Sequence, residues 1–432
     1  MENKKVLIIS PYFVPDNAAD MHRVRTSLPY YPDFGWEATV VAVHPDYTDT
    51  IKDPLLLESL PEATALHHVK AFNKKTTSKL GLGSIALRSI WYYFKYVNRL
   101  LKTGKFDLIY FSTTQFPVLI LGAYWKYRFN INSVIDVQDP WHTDYYKNRP
   151  KAERPKKYWF SCHLNRLLEP IAIRAAGGFI SVSNSYLSTI HNRYPEIKAR
   201  PRMVIPFGMH IPDLEIAWKN SDIESSILPK NGKKHIVYVG RGGHDLKAAF
   251  ELLFSELALG IKNNPDQFNL VQVHLIGTSY ASSGQGKPMF EALIAAYGLQ
   301  KIVFEITDRI PFYRTINTLR AADLLFIPGP DQPAYTASKL FPYIMAEKPI
   351  LSIMHAQSSA IEILKQCNHA CNLNFNMDKS MLSCAIQEQL NALFDNHIQE
   401  RHTDFSLYSE YSAAYYTQLQ TEVFDAAYNA DL

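Results

Sequence analysis

The chain is short of cysteine, of net charge and of long apolar runs. Its four cysteines, Cys162, Cys367, Cys371 and Cys384, are sparse and late in a chain of 432 residues. That is unlike the disulfide framework of a small secreted domain. Cys367 and Cys371 lie four residues apart, but no second cluster at zinc spacing accompanies them, so no metal is expected. Lysine and arginine number 45 against 41 acidic residues, a net charge of +4. So small an excess does not argue for nucleic acid, and no recognition module is found. The longest apolar stretch, Phe116 to Trp125, falls well short of the roughly 20 residues of a membrane span. The opening MENKK leads directly into a core strand with no apolar signal region, so the expected location is cytoplasmic.

What is present is a long chain rich in core material. Hydrophobic residues make up 47% and charged residues 20%, enough for two or three domains. Short β-branched runs alternate with helical patterns. Val6–Ile9, Ala38–Val43, Leu108–Phe111, Val134–Val137, Gly178–Val182 and Met203–Ile205 read as strands. Helices fit around His22–Tyr31, Ile85–Leu101, Pro117–Tyr127 and Tyr158–Ala176. Such alternation predicts a parallel sheet covered on both faces. Pro206 to Lys234 is rich in proline and polar residues and reads as a linker. The alternation then restarts with strands His235–Val239, Val271–Ile276, Ile302–Phe304, Leu324–Ile327 and Ile350–Ile353. The predicted division is an N-terminal domain at 1–206, a linker at 207–234 and a second domain at 235–405. The last segment, 406–432, is a helix expected to pack back on the first domain. Two doubly wound domains would face each other across a cleft, with ligands beyond the carboxyl ends of the strands.

Three stretches carry the candidate chemistry. The first is SPYFVPDNAADMHRVR, residues 10–25, a loop directly after the first strand. Loops in this position often hold a phosphate through glycine, and this one contains none. It offers Asn17, Asp20 and Arg23 instead, flanked by small Ala18 and Ala19. The plainer reading is a polar loop that caps the next helix. The second stretch is VIDVQDPWHTDYY, with Asp136, Asp139, His142 and Asp144 at and just after a strand end. A ligand hydroxyl bound there would need a base or an orienting partner, and Asp139 with His142 is the preferred pair. A structural Asp-Pro turn is the alternative. The third is IVYVGRGGHDLKAAFELL, residues 236–253. Gly240 closes a strand, Arg241 follows, and Lys247 opens a helix, so two cations lie beside a helix N-terminus suited to anions. Thr336, Ser338 and Lys339 cluster at a later helix start, where they suit either a diphosphate or ordinary capping.

In order and spacing these stretches resemble the GT-B glycosyltransferases, and glycosyltransferase family 4 most closely. The likeness runs from KKVLIISPYFVPDNAADMHRV through VIDVQDPWHTDYY, LEPIAIRAAGGFISVSNSYLSTI, VIPFGMH and VYVGRGGHDLKAAFELL. It ends with LRAADLLFIPG and ASKLFPYIMAEKPILSIM. The resemblance implies a GT-B fold of two Rossmann-like domains. The first would bind an acceptor through Asn17, Asp20, Arg23, Asp139 and His142. The second would bind a nucleotide-sugar through Gly240, Arg241, Lys247, Thr336, Ser338 and Lys339. It also implies metal-independent sugar transfer, with retention of configuration, to a glycan or lipid-linked hydroxyl in surface polysaccharide or glycoconjugate assembly. The departures are Ala334 and Pro342, where the family carries two glutamates, and Glu347, where it carries glycine. They leave two alternatives, a nucleotide-sugar epimerase of the same fold and a non-catalytic binding subunit.

One helix suggests a partner surface. Between Glu62 and Asp107 there are nine Lys/Arg and no acidic residue. Arg88, Lys95, Arg99 and Lys102 fall on one face, beside Trp91 and Tyr92. Ile90, Phe94, Val97 and Leu101 are expected to face the core. A basic face with aromatic edges suits an anionic membrane surface, so the protein is expected to be peripheral on it. The alternative is a solvated helix with snorkelling lysines.

Overall fold

A computed structural model of the chain describes residues 3–142, 147, 154, 158–279, 281, 284–332, 340–367, 370–395 and 403–430. The chain forms two compact units. Unit 1 comprises Met1–Gly208 with Glu410–Leu432, and unit 2 comprises Met209–Ser409.

Unit 1 is built on seven parallel strands. In chain order they are β1 (Lys4–Ile9), β2 (Trp36–Val43), β3 (Ala65–Val69), β4 (Leu108–Ser112), β5 (Ser133–Val137), β6 (Gly178–Ser181) and β7 (Arg202–Val204). Their order across the sheet is β3-β2-β1-β4-β5-β6-β7. Val6 to Ile9 are wholly buried because helices cover both faces. Strand order reverses between β1 and β4, which opens a crevice at their carboxyl ends. The loop after β1 lies at that end.

The helix Ala413–Asn429 completes unit 1. Phe424 packs among Tyr31, Trp36 and Tyr110 at ring-centre distances of 5.9, 5.5 and 4.9 Å. Gln420 accepts from the Tyr31 hydroxyl at 3.1 Å and donates to Ser27 at 2.8 Å. The last helix thus closes over the first strands.

Unit 2 repeats the plan with six parallel strands. These are β8 (Lys234–Val239), β9 (Val271–Ile276), β10 (Val303–Ile306), β11 (Leu324–Pro328), β12 (Ile350–Met354) and β13 (Ala370–Asn374), in the order β10-β9-β8-β11-β12-β13. The reversal falls between β8 and β11, so the loop after β8 occupies the equivalent position.

Two sequence expectations change here. The stretch 207–234 is more than a tether. It contains the helix Pro212–Lys219, which docks on the helix Phe312–Arg320. Asn317 donates to Ala217 O and Glu224 O at 3.0 and 2.8 Å, and Arg320 lies over the Trp218 ring at 5.0 Å. Pro212 starts this helix because an N1 proline loses no helical hydrogen bond.

The second change concerns Arg88 on the helix Ile85–Thr103. It is only 3% exposed, and it donates to Phe72 O at 3.0 Å and Tyr47 O at 2.8 Å. The buried face runs through Ala86, Ser89, Tyr93, Val97 and Leu101, while Ile90 and Phe94 are half-buried. Ser89 and Tyr93 take the core positions expected of Ile90 and Phe94, Val97 and Leu101 keep theirs, and the Tyr93 hydroxyl bonds Val41 O at 3.2 Å. Lys95, Arg99 and Lys102 remain exposed.

Candidate functional site

In unit 1 the loop after β1 is pinned from beneath. Asp16 is fully buried, and its Oδ1 accepts from Thr48 at 2.7 Å, Thr50 and the Lys52 ammonium. Backbone bonds from Asn17 N to Ile51 O at 2.8 Å and from Asp53 N to Pro15 O at 2.7 Å add to the hold. Asn17 is half-exposed and Ala19 exposed, so the loop offers a small, polar upper surface.

Asp20 points down into the switch point. Its carboxylate accepts from Thr113 Oγ1, Thr114 N and Thr114 Oγ1, each at 3.1 Å. The β1 and β4 loops are therefore stitched together at the reversal of strand order. Burial pushes the Asp20 carboxyl above its usual range, and the threonine bonds offset part of that rise.

Arg23 lies deeper still, at 3% exposure. Its Nε donates to Asp136 Oδ2 at 2.7 Å, Nη2 to Ile205 O at 2.6 Å and Nη1 to Pro206 O at 3.2 Å. Ser112 Oγ and Gln138 Nε2 also reach Asp136 Oδ2, at 3.0 and 2.6 Å. Burial is the largest influence and works against the Arg23 charge, but Asp136, with smaller contributions from the Tyr110 and Tyr31 phenols, makes the net shift upward. Placed with the acceptor ligands by sequence, Arg23 stands in the structure as an internal tie between the first helix, β5 and the end of β7. Gln138, Thr113 and Thr114 were not singled out from sequence. They are ordinary polar residues whose importance arises only when three strand ends converge.

Asp139 sits just beyond this network and is exposed. The protein mass around its carboxyl raises it above the ordinary carboxylate range, and the charge of Asp20 adds to the effect. Asp139 in turn helps to raise the Tyr186 phenol, after burial. His142 is half-buried and faces elsewhere, with its Nε2 3.9 Å from Cys162 Sγ. No hydrogen bond joins Asp139 to His142, so the structure does not assemble them as a base pair. Between them Trp141 is buried and stacks on Phe116 at 5.5 Å and 15°. Asp144 lies outside the described residues.

In unit 2 the loop after β8 carries the cations. Gly240 N continues the sheet by bonding Ile276 O at 2.8 Å, and Gly242 N bonds Thr278 O at 2.7 Å. Arg241 is half-exposed, and its guanidinium forks onto Asp245 at 2.9 and 2.6 Å. Lys247 opens the helix Lys247–Asn263, with its ammonium exposed and 3.3 Å from Glu251. Asp245 was not singled out from sequence, although its spacing of four residues from Arg241 was visible there.

The candidate residues Thr336, Ser338 and Lys339, with Ala334, lie outside the described residues. Just past them the helix Leu340–Met345 begins, with Pro342 in its first turn. The next residue, Tyr343, clamps this helix to the end of β8. Its hydroxyl accepts from Val239 N at 2.7 Å and donates to Val239 O at 3.1 Å. Glu347 stands where relatives of the resembled family carry glycine, and it adopts the left-handed conformation that glycine favours, with φ of 55°. Its carboxylate accepts from Thr403 N at 2.7 Å, which engages it in a backbone tie.

No family model matches the sequence, and no curated protein matches it. Solved structures do match over nearly the whole chain. HepE of Anabaena, in complex with UDP and glucose, is 14% identical with a TM-score of 0.58, covering 98% of this chain and 100% of its own. WaaG, a glycosyltransferase involved in lipopolysaccharide biosynthesis, is 14% identical with a TM-score of 0.52 over 98% of both chains. An α,α-trehalose-phosphate synthase from Burkholderia xenovorans, in complex with glucose-6-phosphate, is 11% identical with a TM-score of 0.59, covering 98% of this chain and 99% of its own. Two Rossmann-like units with these strand orders and these neighbours define the GT-B fold.

Proposed function

We propose that the chain is a metal-independent, retaining glycosyltransferase that moves a sugar from a nucleotide-sugar to a hydroxyl of a glycan or lipid-linked acceptor, in surface polysaccharide or glycoconjugate assembly. The observation that carries the reading is the cationic loop at the switch point of unit 2. Arg241 and Lys247 flank a helix N-terminus there, on a fold whose neighbour HepE is solved with UDP. Fixed cations beside a leaving nucleoside diphosphate stabilise its developing charge without a metal. With retention, the departing phosphate takes the acceptor's proton, and Asp139 orients the acceptor hydroxyl.

The test is calorimetric titration of the full chain with a panel of nucleoside diphosphates and nucleotide-sugars. Binding of one base in preference to the others supports the donor site and names the donor. No response across the panel favours the non-catalytic binding subunit instead. Formation of an altered nucleotide-sugar without any acceptor favours the epimerase.

Asp139 gives a pH signature. Its carboxyl accepts the hydroxyl's hydrogen bond about twice as strongly when ionised. Transfer should therefore rise with pH through a midpoint above the ordinary carboxylate range. Asp139→Asn should flatten that limb. It should also lower kcat/KM for the acceptor by about 10- to 150-fold, the worth of one charged hydrogen bond. Nucleotide affinity should stay in place. An unchanged acceptor dependence would remove Asp139 from the site.

The peripheral-membrane reading rests on unit 1. Lys95 lies over the exposed Trp91 ring at 4.9 Å, and Arg99 lies over Tyr96 at 5.2 Å. Exposed Tyr127 and Trp159 stand on the helices Ile120–Phe129 and Tyr158–Ala175. Among the described residues no helix is long and apolar enough to cross a membrane. Replacing Lys95, Arg99 and Lys102 by glutamine should weaken sedimentation with anionic vesicles by roughly 100-fold, at about 1 kcal/mol per charge. Equal sedimentation of the triple variant would leave a solvated helix.

A further inference from the structure

The donor loop holds its own anion. Arg241 and Asp245 meet in a two-pronged pair, Nη1 to Oδ1 at 2.9 Å and Nη2 to Oδ2 at 2.6 Å. That is the geometry in which a guanidinium receives two oxygens of a phosphate. The pair lies across Gly243, where an added Cβ would sit 2.3 Å from both Arg241 Nη1 and Asp245 Oδ1. A larger residue there would push these two flexible charged ends aside, so glycine leaves the pair room to close.

The backbone does not depend on the pair. Arg241 O is held by the Tyr238 hydroxyl at 2.8 Å, and Gly242 N is held by Thr278 O. Both side chains keep about a third of their exposure, 35% for Arg241 and 31% for Asp245. The pair is thus a surface contact that can open, in contrast to the buried Arg23–Asp136 pair in unit 1. The second cation shows the same pattern, since Lys247 faces Glu251 four residues on. Among the described residues, Arg241 and Lys247 are each matched by a carboxylate four residues on.

We propose that Asp245 is an internal competitor for the donor site, holding Arg241 in a neutral pair that a diphosphate must displace. This inference rests on the donor-site reading above and adds a regulatory element to it. A ligand with one weakly charged oxygen cannot replace a forked carboxylate. A diphosphate can, because it offers two or more oxygens and a higher charge. Once displaced, the Asp245 carboxylate loses the guanidinium bond that holds its pKa below the usual carboxylate range. The latch therefore keeps Arg241 paired against simpler anions, yields it to a diphosphate, and lowers the affinity that diphosphate shows.

The experiment compares the full-length chain with its near-isosteric Asp245→Asn variant, using UDP and inorganic pyrophosphate as probes. Removing the competitor should tighten UDP binding about tenfold and pyrophosphate binding similarly, at 1.4 kcal/mol per decade. Uridine monophosphate should gain less. Equal or weaker UDP binding by Asp245→Asn would make Asp245 a positioning residue for Arg241 and overturn the latch. If neither protein bound UDP or pyrophosphate, the donor-site reading itself would fall, and the latch with it.

Discussion

Asp136→Ala is expected to cost unit 1 about 3–5 kcal/mol, the usual penalty for stripping one partner from a buried ion pair. The side chains of Arg23 and Asp136 are 2% and 0% exposed. Water therefore cannot replace the lost carboxylate. Three donors converge on a single oxygen, Asp136 Oδ2, so Ser112 and Gln138 lose an acceptor in the same step. The remaining oxygen, Oδ1, is buried without a partner, and its removal costs nothing. Arg23→Met should destabilise by a similar amount, because it leaves the buried Asp136 charge with two neutral donors and no counter-charge. The double variant Arg23→Met/Asp136→Ala should recover much of the loss, since two apolar side chains leave no orphaned charge. Chemical denaturation of the four proteins measures the cycle. Strictly additive losses would mean that the pair is not coupled, and would release Arg23 to bind a ligand.

That result would also bear on how the sequence is read. Arg23 follows the first-strand loop, and its position alone suits a ligand contact. Its true partner lies 113 residues away at the end of β5, a distance that local spacing does not encode. The central strands were legible because Val6–Ile9 and Ile236–Tyr238 are continuous apolar runs buried on both faces. Strands β3 and β13 were not read. ALHHV and ACNLN lie at sheet edges, are largely half-exposed or exposed, and carry histidine and asparagine where a central strand carries valine. The helix Pro212–Lys219 hid behind the same prolines that suggested a linker. Glu347 shows the opposite case. The residue type departs from the resembled family, while the left-handed backbone that glycine would supply is kept.

The largest functional effect is expected from Arg241→Ala. Losing one charge-assisted contact to a phosphate weakens nucleoside-diphosphate binding by roughly 10- to 150-fold, or about 1.5–3 kcal/mol. A second penalty follows, because Asp245 then keeps its negative charge beside the site without a counter-ion. Arg241→Ala should therefore weaken binding more than Lys247→Ala, whose partner Glu251 is half-exposed and makes a longer, single contact at 3.3 Å. Turnover should fall further than affinity, by about 10²–10³-fold, because charge grows on the leaving diphosphate only in the transition state. Adding Asp245→Asn to Arg241→Ala should restore part of the affinity but little of the turnover. The added change removes the repulsion, and the missing cation stays missing. Measuring both quantities in the two variants separates these contributions. Full affinity in Arg241→Ala and in Lys247→Ala alike would take the diphosphate away from this loop. Lost affinity with unchanged turnover at saturation would instead make the two cations ground-state anchors, and the leaving group would need another source of charge.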